Sequence, residues 1–231
     1  MKKRGRWSGR LTLLVLGGVL LYQLWIFSHV VWWNFFNPST SAFMQSRLEL
    51  MQDKDPQAKL RHKWVGYSKV SLNLKRALVA AEDANFMEHE GFDWDAIQQA
   101  YARNLKKGRV VAGGSTISQQ LAKNLFLSSR RSAVRKLQEA LITVMIETVM
   151  SKRRIFEIYL NIIEWGDGVF GAEAASRHYF KKSAAHLDAW EAAYLAAMVP
   201  NPRYYDRNRN TAYLQGKTNL ILGRMPAAEV P

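Results

Sequence analysis

The strongest constraint on this chain is a long stretch near its amino terminus that carries no charged side chain. No Asp, Glu, Lys or Arg occurs between Leu11 and Ser46, and residues 11–31 are almost wholly apolar. A helix needs roughly 20 apolar residues to cross the hydrocarbon core of a bilayer. Residues 11–33 are therefore predicted to form a single transmembrane anchor.

The charges on either side of this stretch predict its orientation. Residues 1–10 contain five basic side chains, whereas the first charged residue after the stretch is Arg47. Positively charged flanks remain in the cytoplasm, so residues 1–10 are expected to form a cytoplasmic basic tip. The alternative is a cleaved signal peptide, whose apolar core is usually ~7–15 residues long and precedes a small-x-small site. The longer run found here, without such a site, favours a retained anchor.

The chain is basic well beyond its tip. Its net charge is +14, and without the five basic residues of the tip 28 Lys and Arg still face 19 Asp and Glu. A basic surface attracts anions. Because the anchor places this surface outside the cytoplasm, the expected partners are the membrane and phosphorylated lipids, and nucleic acid is not expected. The absence of Cys excludes disulfides and thiolate metal sites.

In the rest of the chain, most apolar residues recur at helical spacing. A break at 37–41 and a short amphipathic helix at 42–51 are predicted within a juxtamembrane segment, 34–63, followed by an extended or irregular stretch at 64–70. Further helices are predicted at 72–85, 93–107, 115–127, 132–150, 154–163, 171–180 and 188–198, with a flexible loop at 108–114. Little alternating strand pattern is present, so the domain at 64–231 is expected to be mainly α.

The helix predicted at 132–150 has the longest apolar repeat. Its apolar stripe, at helical spacing, consists of Val134, Leu137, Leu141, Val144, Met145 and Thr148. A stripe of this kind is typical of a helix that packs on a core.

Glu82 stands at the end of an otherwise apolar predicted helix and opens the run EDANFMEHEGFD, which ends at Asp93. Desolvation can raise the pKa of such a carboxyl group and make it a base or acid near neutral pH. A solvent-facing acid at a helix end is the plainer alternative. The run resembles the E-D-x-x-F-x-x-H-x-G-x-D signature of the peptidoglycan glycosyltransferases, glycosyltransferase family 51. This resemblance implies that Glu82 is the general base that deprotonates the sugar 4-hydroxyl of lipid II.

The polar residues after Glu82 invite a metal-site interpretation, which the spacing does not support. His89 and Glu90 lack the second His of H-E-x-x-H, so no protein-held metal is expected. His89 and Asp93 are interpreted as hydrogen-bonding supports of the loop and Phe86 as packing. Asp83 and His89 are kept as candidate substrate contacts.

A second block, GGSTISQQLAKN at 113–124, resembles the second signature of the same family. Free backbone N–H groups at the start of its predicted helix can hold a phosphate oxygen, whereas a glycine hinge with a Ser cap is the alternative. The resemblance implies that this block binds sugar and pyrophosphate. The candidate contacts are Ser115, Thr116, Gln119, Gln120, Lys123 and Asn124.

Two further segments resemble the third and fourth family motifs. Arg135, Lys136 and Glu139 match R-K-x-x-E; as an isolated i,i+4 ion pair, Arg135 and Glu139 would contribute only tenths of a kcal/mol. The resemblance implies that Glu139 is a second essential carboxylate and that the basic residues, with Lys123, neutralise the departing pyrophosphate. Residues 152–161, KRRIFEIYLN, match the fourth motif with Phe156 where Leu is usual.

Together these matches cover about residues 64–207 and resemble the monofunctional branch of the family. They imply a lysozyme-like, mainly α domain on the periplasmic face of a bacterial inner membrane. The implied reaction is an inverting transfer of a growing lipid-linked glycan to lipid II, which forms a β-1,4 bond and releases undecaprenyl pyrophosphate. A divalent cation, Mg²⁺ or Mn²⁺, accompanying the pyrophosphate and protein partners from cell-wall synthesis and division are left open.

Other activities are less consistent with the sequence. No Ser is followed by Lys three residues later, so no transpeptidase activity and no covalent penicillin binding are expected. A lysozyme-like glycan-cleaving enzyme is one alternative, and the phosphate-holding block and basic cluster argue against it. A non-catalytic membrane-anchored scaffold is another, but it leaves both intact motifs unexplained.

Overall fold

The computed structural model describes residues 3–109, 113–128, 130 and 132–231, and for residues 3–9 the backbone alone. Lys2 of the basic tip and the centre of the predicted loop at 108–114 lie outside the described residues. The helices are α1 (Lys3–Phe35), α2 (Ala42–Gln52), α3 (Leu72–Glu82), α4 (Trp94–Lys107), α5 (Ile117–Phe126), α6 (Ala133–Val149), α7 (Lys152–Ile162), α8 (Ala172–Phe180), α9 (Ala189–Met198), α10 (Pro202–Arg207) and α11 (Ala212–Arg224). The mainly α prediction is confirmed.

Three very short strands form one small sheet beside the helices. They are β1 (Arg61–His62), β2 (Glu164–Gly166) and β3 (Val169–Phe170), in the order β1-β3-β2. β1 pairs parallel with β3, and β2 pairs antiparallel with it. β1 and α2, which the sequence places in the juxtamembrane segment 34–63, thus pack on the domain, and α2 contacts α5.

The core consists of two helix groups that meet where α3 ends and α5 begins. In the first group α9 packs against α3 and α11, and in the second α5 packs against α6 and α7. α9 is buried from Glu191 to Met198, and the four alanines of this stretch let neighbouring helices approach closely. Three apolar residues of the fourth motif, Ile155, Ile158 and Leu160, are fully buried. Asn161 of that motif is also buried, and its side chain holds both backbone polar groups of Val65 at 2.9 Å.

Several helix ends differ from the predicted ones. α3 ends at Glu82 and not at Asn85, since Asp83 adopts an extended φ of −163° and turns its side chain towards α5. α5 begins at Ile117 and not at Ser115, because Thr116 and Gln119 form a capping box there.

Two helices near the carboxyl terminus were not predicted at all. Pro202 does not merely end the preceding helix, since it occupies the first turn of α10. α11 contains Gly216 and Gly223, which weaken the helical pattern of its sequence.

The helix predicted at 132–150 is present as α6, but its apolar stripe faces outwards, although stripes of this kind typically pack on a core. Val134 and Leu137 are 78% and 64% exposed. The residues of α6 that face the core are Glu139, Ile142, Thr143 and Ile146. The remaining members of the predicted stripe are exposed at Leu141, Val144 and Thr148 and half-buried at Met145.

The position of α1 gives the physical reason for this exposed stripe. α6 packs against α1, and the side-chain amides of Gln23 and Gln138 exchange hydrogen bonds of 2.8 and 3.0 Å. Residues Arg10–Phe35 of α1 include an 18-residue stretch with a mean hydropathy of 1.9, and they have the length needed to cross a bilayer. A helix beside such an anchor can expose apolar side chains to lipid. Helical periodicity identifies an apolar face but not the medium that covers it.

The carboxyl end of α1 is attached to the domain through Arg154 of α7. Its guanidinium donates hydrogen bonds to the carbonyls of Trp33 at 2.9 Å and Phe36 at 2.8 Å, and it pairs with Glu157 at 2.9 Å. The Trp33 ring also packs on Phe126, the last residue of α5, with ring centroids 5.1 Å apart. These contacts attach α1 to both α5 and α7, so the end of α1 packs as part of the domain.

Candidate active site

A cleft opens where the carboxyl end of α3 faces the beginning of α5. One cavity, of about 420 Å³, is lined by Glu82, Asp83, the 113–116 segment and residues of α4. A second, of about 380 Å³, contains most of the predicted basic residues. Its lining is Phe43, Ser115, Gln119, Gln120, Lys123, Arg135, Lys136, Glu139, Pro200 and Arg203. Ser115 lines both cavities, so the two are adjacent parts of one cleft.

Glu82 is held at the wall of the first cavity as the last residue of α3. The Gln120 side-chain amide donates a hydrogen bond of 2.9 Å to Glu82 Oε2, and the Tyr159 hydroxyl donates one of 3.1 Å to Gln120 Oε1. These two bonds fix which way the amide points. Burial raises the pKa of Glu82, while the Gln120 hydrogen bond and nearby Lys217 and Lys123 oppose that rise. The side chain is therefore suited to accept a proton near neutral pH.

Lys217 is a site residue that the sequence analysis missed. It projects from α11 towards Glu82, whose charge favours the protonated lysine, although burial lowers the pKa of Lys217 overall. Because α11 was not predicted, no signal in the sequence placed this lysine near residue 82. Glu82 thus lies between two cations, Lys123 and Lys217, that stabilise its ionised form.

Asp83, a predicted substrate contact, points into the protein and is 6% exposed. Its carboxylate accepts hydrogen bonds of 2.9 Å from His89 Nε2 and 2.9 Å from the Ile117 backbone N–H. The Gly91 N–H donates to His89 Nδ1 at 3.2 Å, so the hydrogen of a neutral imidazole lies on Nε2. Both ring nitrogens of His89 are therefore engaged within the loop, and a carboxylate already occupies the positive end of α5.

The remaining polar groups at the start of α5 are also engaged within the protein. The Gln119 N–H donates to Thr116 Oγ1, and the Thr116 N–H donates to Gln119 Oε1. Thr116 Oγ1 in turn donates a 2.7 Å hydrogen bond to the Gly91 carbonyl. The Thr116 and Gln119 N–H groups thus have acceptors within the protein and are not free to bind a phosphate. Anion binding in the cleft therefore depends more on the basic side chains.

The loop between α3 and α4 is held as the sequence predicted. Asp93 caps α4 through the Ala96 N–H at 2.8 Å and accepts a 2.9 Å hydrogen bond from Asn85, and Phe86 is fully buried. Gly91 has a φ of +92°, and a Cβ at this position would lie 2.8 Å from Thr143 Cγ2. Only glycine therefore fits where the loop passes α6.

A buried network that the sequence analysis did not identify supports the same loop from below. Glu147 of α6 accepts hydrogen bonds from Ser118 and from Lys152, the latter at 2.8 Å. Lys152 also donates to the carbonyl of His89. Lys152, which begins the fourth family motif, thereby links that motif to the loop of the first.

Glu139 lies in the second cavity and is 3% exposed. It pairs with Arg135 at 2.6 Å and also with Lys136. Burial lowers the pKa of neighbouring Lys123, and the Glu139 charge opposes this effect. Three cations thus surround one carboxylate, which leaves the cavity positively charged and suited to a phosphate-bearing ligand. Asn124 lies further along the cleft, beside Lys123 and Phe43.

The cleft combines a buried carboxyl group whose pKa is raised with a cationic cavity, an arrangement suited to an anionic substrate. The family model described as Transglycosylase matches residues 49–226, a range that includes every residue of the two cavities except Phe43. The chain therefore belongs to the transglycosylase family, which confirms the resemblance seen in its motifs.

Individual relatives match over nearly the whole chain. The biosynthetic peptidoglycan transglycosylase of Nitrosospira multiformis is 62% identical over 226 residues, covering 98% of both chains. That of Methylobacillus flagellatus is 61% identical over 231 residues, the full length of both. That of Chromobacterium violaceum is 63% identical over 212 residues, covering 92% of this chain and 93% of the relative.

Proposed function

We propose that this protein polymerises lipid II into β-1,4-linked peptidoglycan glycan strands and releases undecaprenyl pyrophosphate. The names of its relatives support peptidoglycan glycan synthesis in general. The observation that supports the specific chemistry is the division of one cleft into two environments. Glu82 lies at the carboxyl end of α3 in the first cavity, and three cations surround Glu139 in the second.

In the acceptor half of the cleft, Glu82 is the general base. Gln120 holds Oε2, and no described residue donates a hydrogen bond to Oε1, so Oε1 is available to the sugar 4-hydroxyl. As the hydroxyl oxygen attacks, its proton passes to Glu82, and Lys217 and Lys123 stabilise the ionised carboxylate before the transfer. A positioned base contributes about 10²–10⁴-fold to a rate.

In the donor half, the bond from the sugar carbon to the pyrophosphate oxygen breaks as the new glycosidic bond forms on the opposite face. Displacement of an α-linked pyrophosphate in this way gives a β bond with inversion. Lys123, Arg135 and Lys136 stabilise the charge that develops on the leaving group. Glu139 keeps the two basic residues of α6 oriented through its ion pairs.

A divalent cation would add to this charge stabilisation if it arrived with the pyrophosphate. Among the described residues, no group of three or more His, Asp or Glu side chains is arranged to hold a metal. Such an ion would therefore be bound mainly through the phosphate oxygens, and the step does not depend on it in this proposal.

The anchor brings the cleft to its substrates. α1 is proposed to span the bacterial inner membrane once, with the basic tip in the cytoplasm and the domain in the periplasm. This orientation follows the positive-inside rule. Both lipid-linked substrates then diffuse in the same membrane that holds the enzyme.

The test is polymer formation from labelled lipid II by the full chain in detergent, compared with Glu82→Gln. Lysozyme-sensitive polymer is expected from the wild type, and at least about a hundredfold less from Glu82→Gln. Near-wild-type turnover in this variant would refute the assignment of the base. Anhydro or reducing-end products from finished, lipid-free glycan would instead favour the cleaving enzyme.

Two further measurements address the remaining alternatives. Retained cellular function after Glu82→Gln would favour the scaffold. Stoichiometric labelling by a fluorescent penicillin would contradict the proposed absence of transpeptidase activity.

A further inference from the structure

The cationic cavity continues beyond Lys123 into a groove between α2, β2 and α10. Phe43 of α2 and Arg203 of α10 line the cavity and also this continuation. Glu164 of β2 and Arg47 of α2 form the end of the groove. None of these four residues belongs to the motifs that identified the site.

Glu164 is placed between two guanidinium groups but bonds closely to neither. Its Oε1 is 3.7 Å from Arg47 Nε, and its Oε2 is 3.6 Å from Arg203 Nε. Both Glu164 Oε1 and Arg47 Nε are buried without a hydrogen-bond partner. The Glu164 side chain is only 13% exposed, so it faces the two arginines from a buried position.

The two arginines differ in their other partners. Arg47 also pairs with Asp167, which balances its charge. Within the described part of the chain, Glu164 is the one charged partner of Arg203, at a distance longer than a hydrogen bond. The Arg203 side chain is 51% exposed and borders the same cavity as Lys123 and Arg135. Its donors are therefore free to face a ligand in that cavity.

We propose that Arg203 is a further anion-binding residue of this cleft and that Glu164 is its positioning residue. The ligand class is the diphosphate of a polyprenyl-linked sugar or of its released carrier, so the inference rests on the proposed function. A guanidinium presents a planar set of donors that matches phosphate oxygens. Glu164 lies behind this group and limits its rotation without occupying all of its donors.

Binding of undecaprenyl pyrophosphate to the full chain in detergent tests the role of Arg203 without requiring turnover. Arg203→Ala is expected to raise Kd about tenfold, the loss typical of one charge-assisted hydrogen-bonded contact. Arg203→Lys keeps the charge and is expected to lose less. Arg207→Ala removes an exposed arginine of the same helix as a matched control and is expected to bind like the wild type. Equal Kd values for the wild type and a folded Arg203→Ala variant would overturn the inference.

A double-variant comparison tests the positioning role of Glu164. If Glu164 acts through Arg203, then Glu164→Gln weakens binding in the wild-type chain but has no further effect in the Arg203→Ala chain. An equal loss in both backgrounds would show that Glu164 does not act through Arg203. A merely structural effect of Glu164 would give that second result.

The outcomes separate this inference from the proposed function. If the wild type polymerises lipid II while Arg203→Ala binds and turns over normally, the inference fails alone. If the wild type binds the diphosphate with the expected dependence on Arg203 but makes no polymer, the proposed reaction fails and the anion-binding role stands.

Discussion

Replacing Asp83 by Ala is expected to destabilise the folded protein strongly. The Asp83 carboxylate accepts two buried hydrogen bonds, from His89 and from the Ile117 N–H at the start of α5. Each hydrogen bond to a charged group contributes about 1.5–3 kcal/mol, so the loss of both should cost about 3–6 kcal/mol. A chain of this size loses roughly 2–4 °C of Tm per kcal/mol, so Tm should fall by about 6–24 °C.

The assay is thermal unfolding of the full chain in detergent, followed by circular dichroism. Glu88→Ala is the matched control, because Glu88 is an exposed acid of the same loop and its loss should change stability by no more than about 0.5 kcal/mol. If Asp83→Ala melts together with this control yet loses turnover of lipid II, Asp83 acts on the substrate and not as a support between the loop and α5.

Three further predictions concern the same region. Because burial raises the pKa of Glu82, kcat/KM should fall as pH drops through that raised pKa. Because the pKa of Glu82 is raised in the folded protein, protonated Glu82 is compatible with the fold and ionised Glu82 destabilises it, so the wild type loses stability as pH rises through the folded pKa. Glu82→Gln carries no ionisable group there and should therefore have a higher Tm than the wild type at neutral pH. This difference in Tm should disappear in acid. Lys217→Ala removes a charge that lowers the pKa of Glu82 and should move the acid limb of the pH–rate profile to higher pH; Lys106→Ala, at an exposed site of α4, should leave it in place. Gly91→Ala should cost at least about 1 kcal/mol of stability, measured by thermal melts, and Thr143→Ser, which removes the clashing methyl group, should recover part of the loss.

The sequence predicted those residues of the cleft that are close together along the chain. Glu82 and Asp83 lie in one run, and Ser115 to Asn124 form one continuous segment that leads into α5, so local patterns indicated residues that line the cleft. The sequence could not predict that Asp83 points into the protein, because its carboxylate accepts a hydrogen bond from Ile117 at the start of α5, 34 residues later. Lys217 and Arg203 were missed for the same reason, since only the packing of α9, α10 and α11 brings them to the cleft.

Glu139 illustrates a different limit of sequence reasoning. The i,i+4 spacing of Arg135 and Glu139 predicted an ion pair that contributes little to stability, as expected for a solvent-exposed helix face. The structure turns this face inwards and exposes the apolar stripe, because α6 lies beside α1. A polarity pattern shows which side chains share a helix face. It does not show whether protein or lipid covers that face.

The contacts of α1 indicate how the anchor sets the position of the cleft. Trp33, near the carboxyl end of α1, packs on Phe126 of α5, and Lys123 lies three residues earlier on the same helix. At a rise of about 1.5 Å per residue, Lys123 is roughly 4.5 Å along α5 from that contact. If α1 crosses the membrane as proposed, Lys123 would lie near the end of the span, where the diphosphate of a lipid-linked substrate would be found. Because Arg154 fixes the same end of α1 to α7, the distance between this end of α1 and the cleft follows from packing and does not depend on a flexible linker.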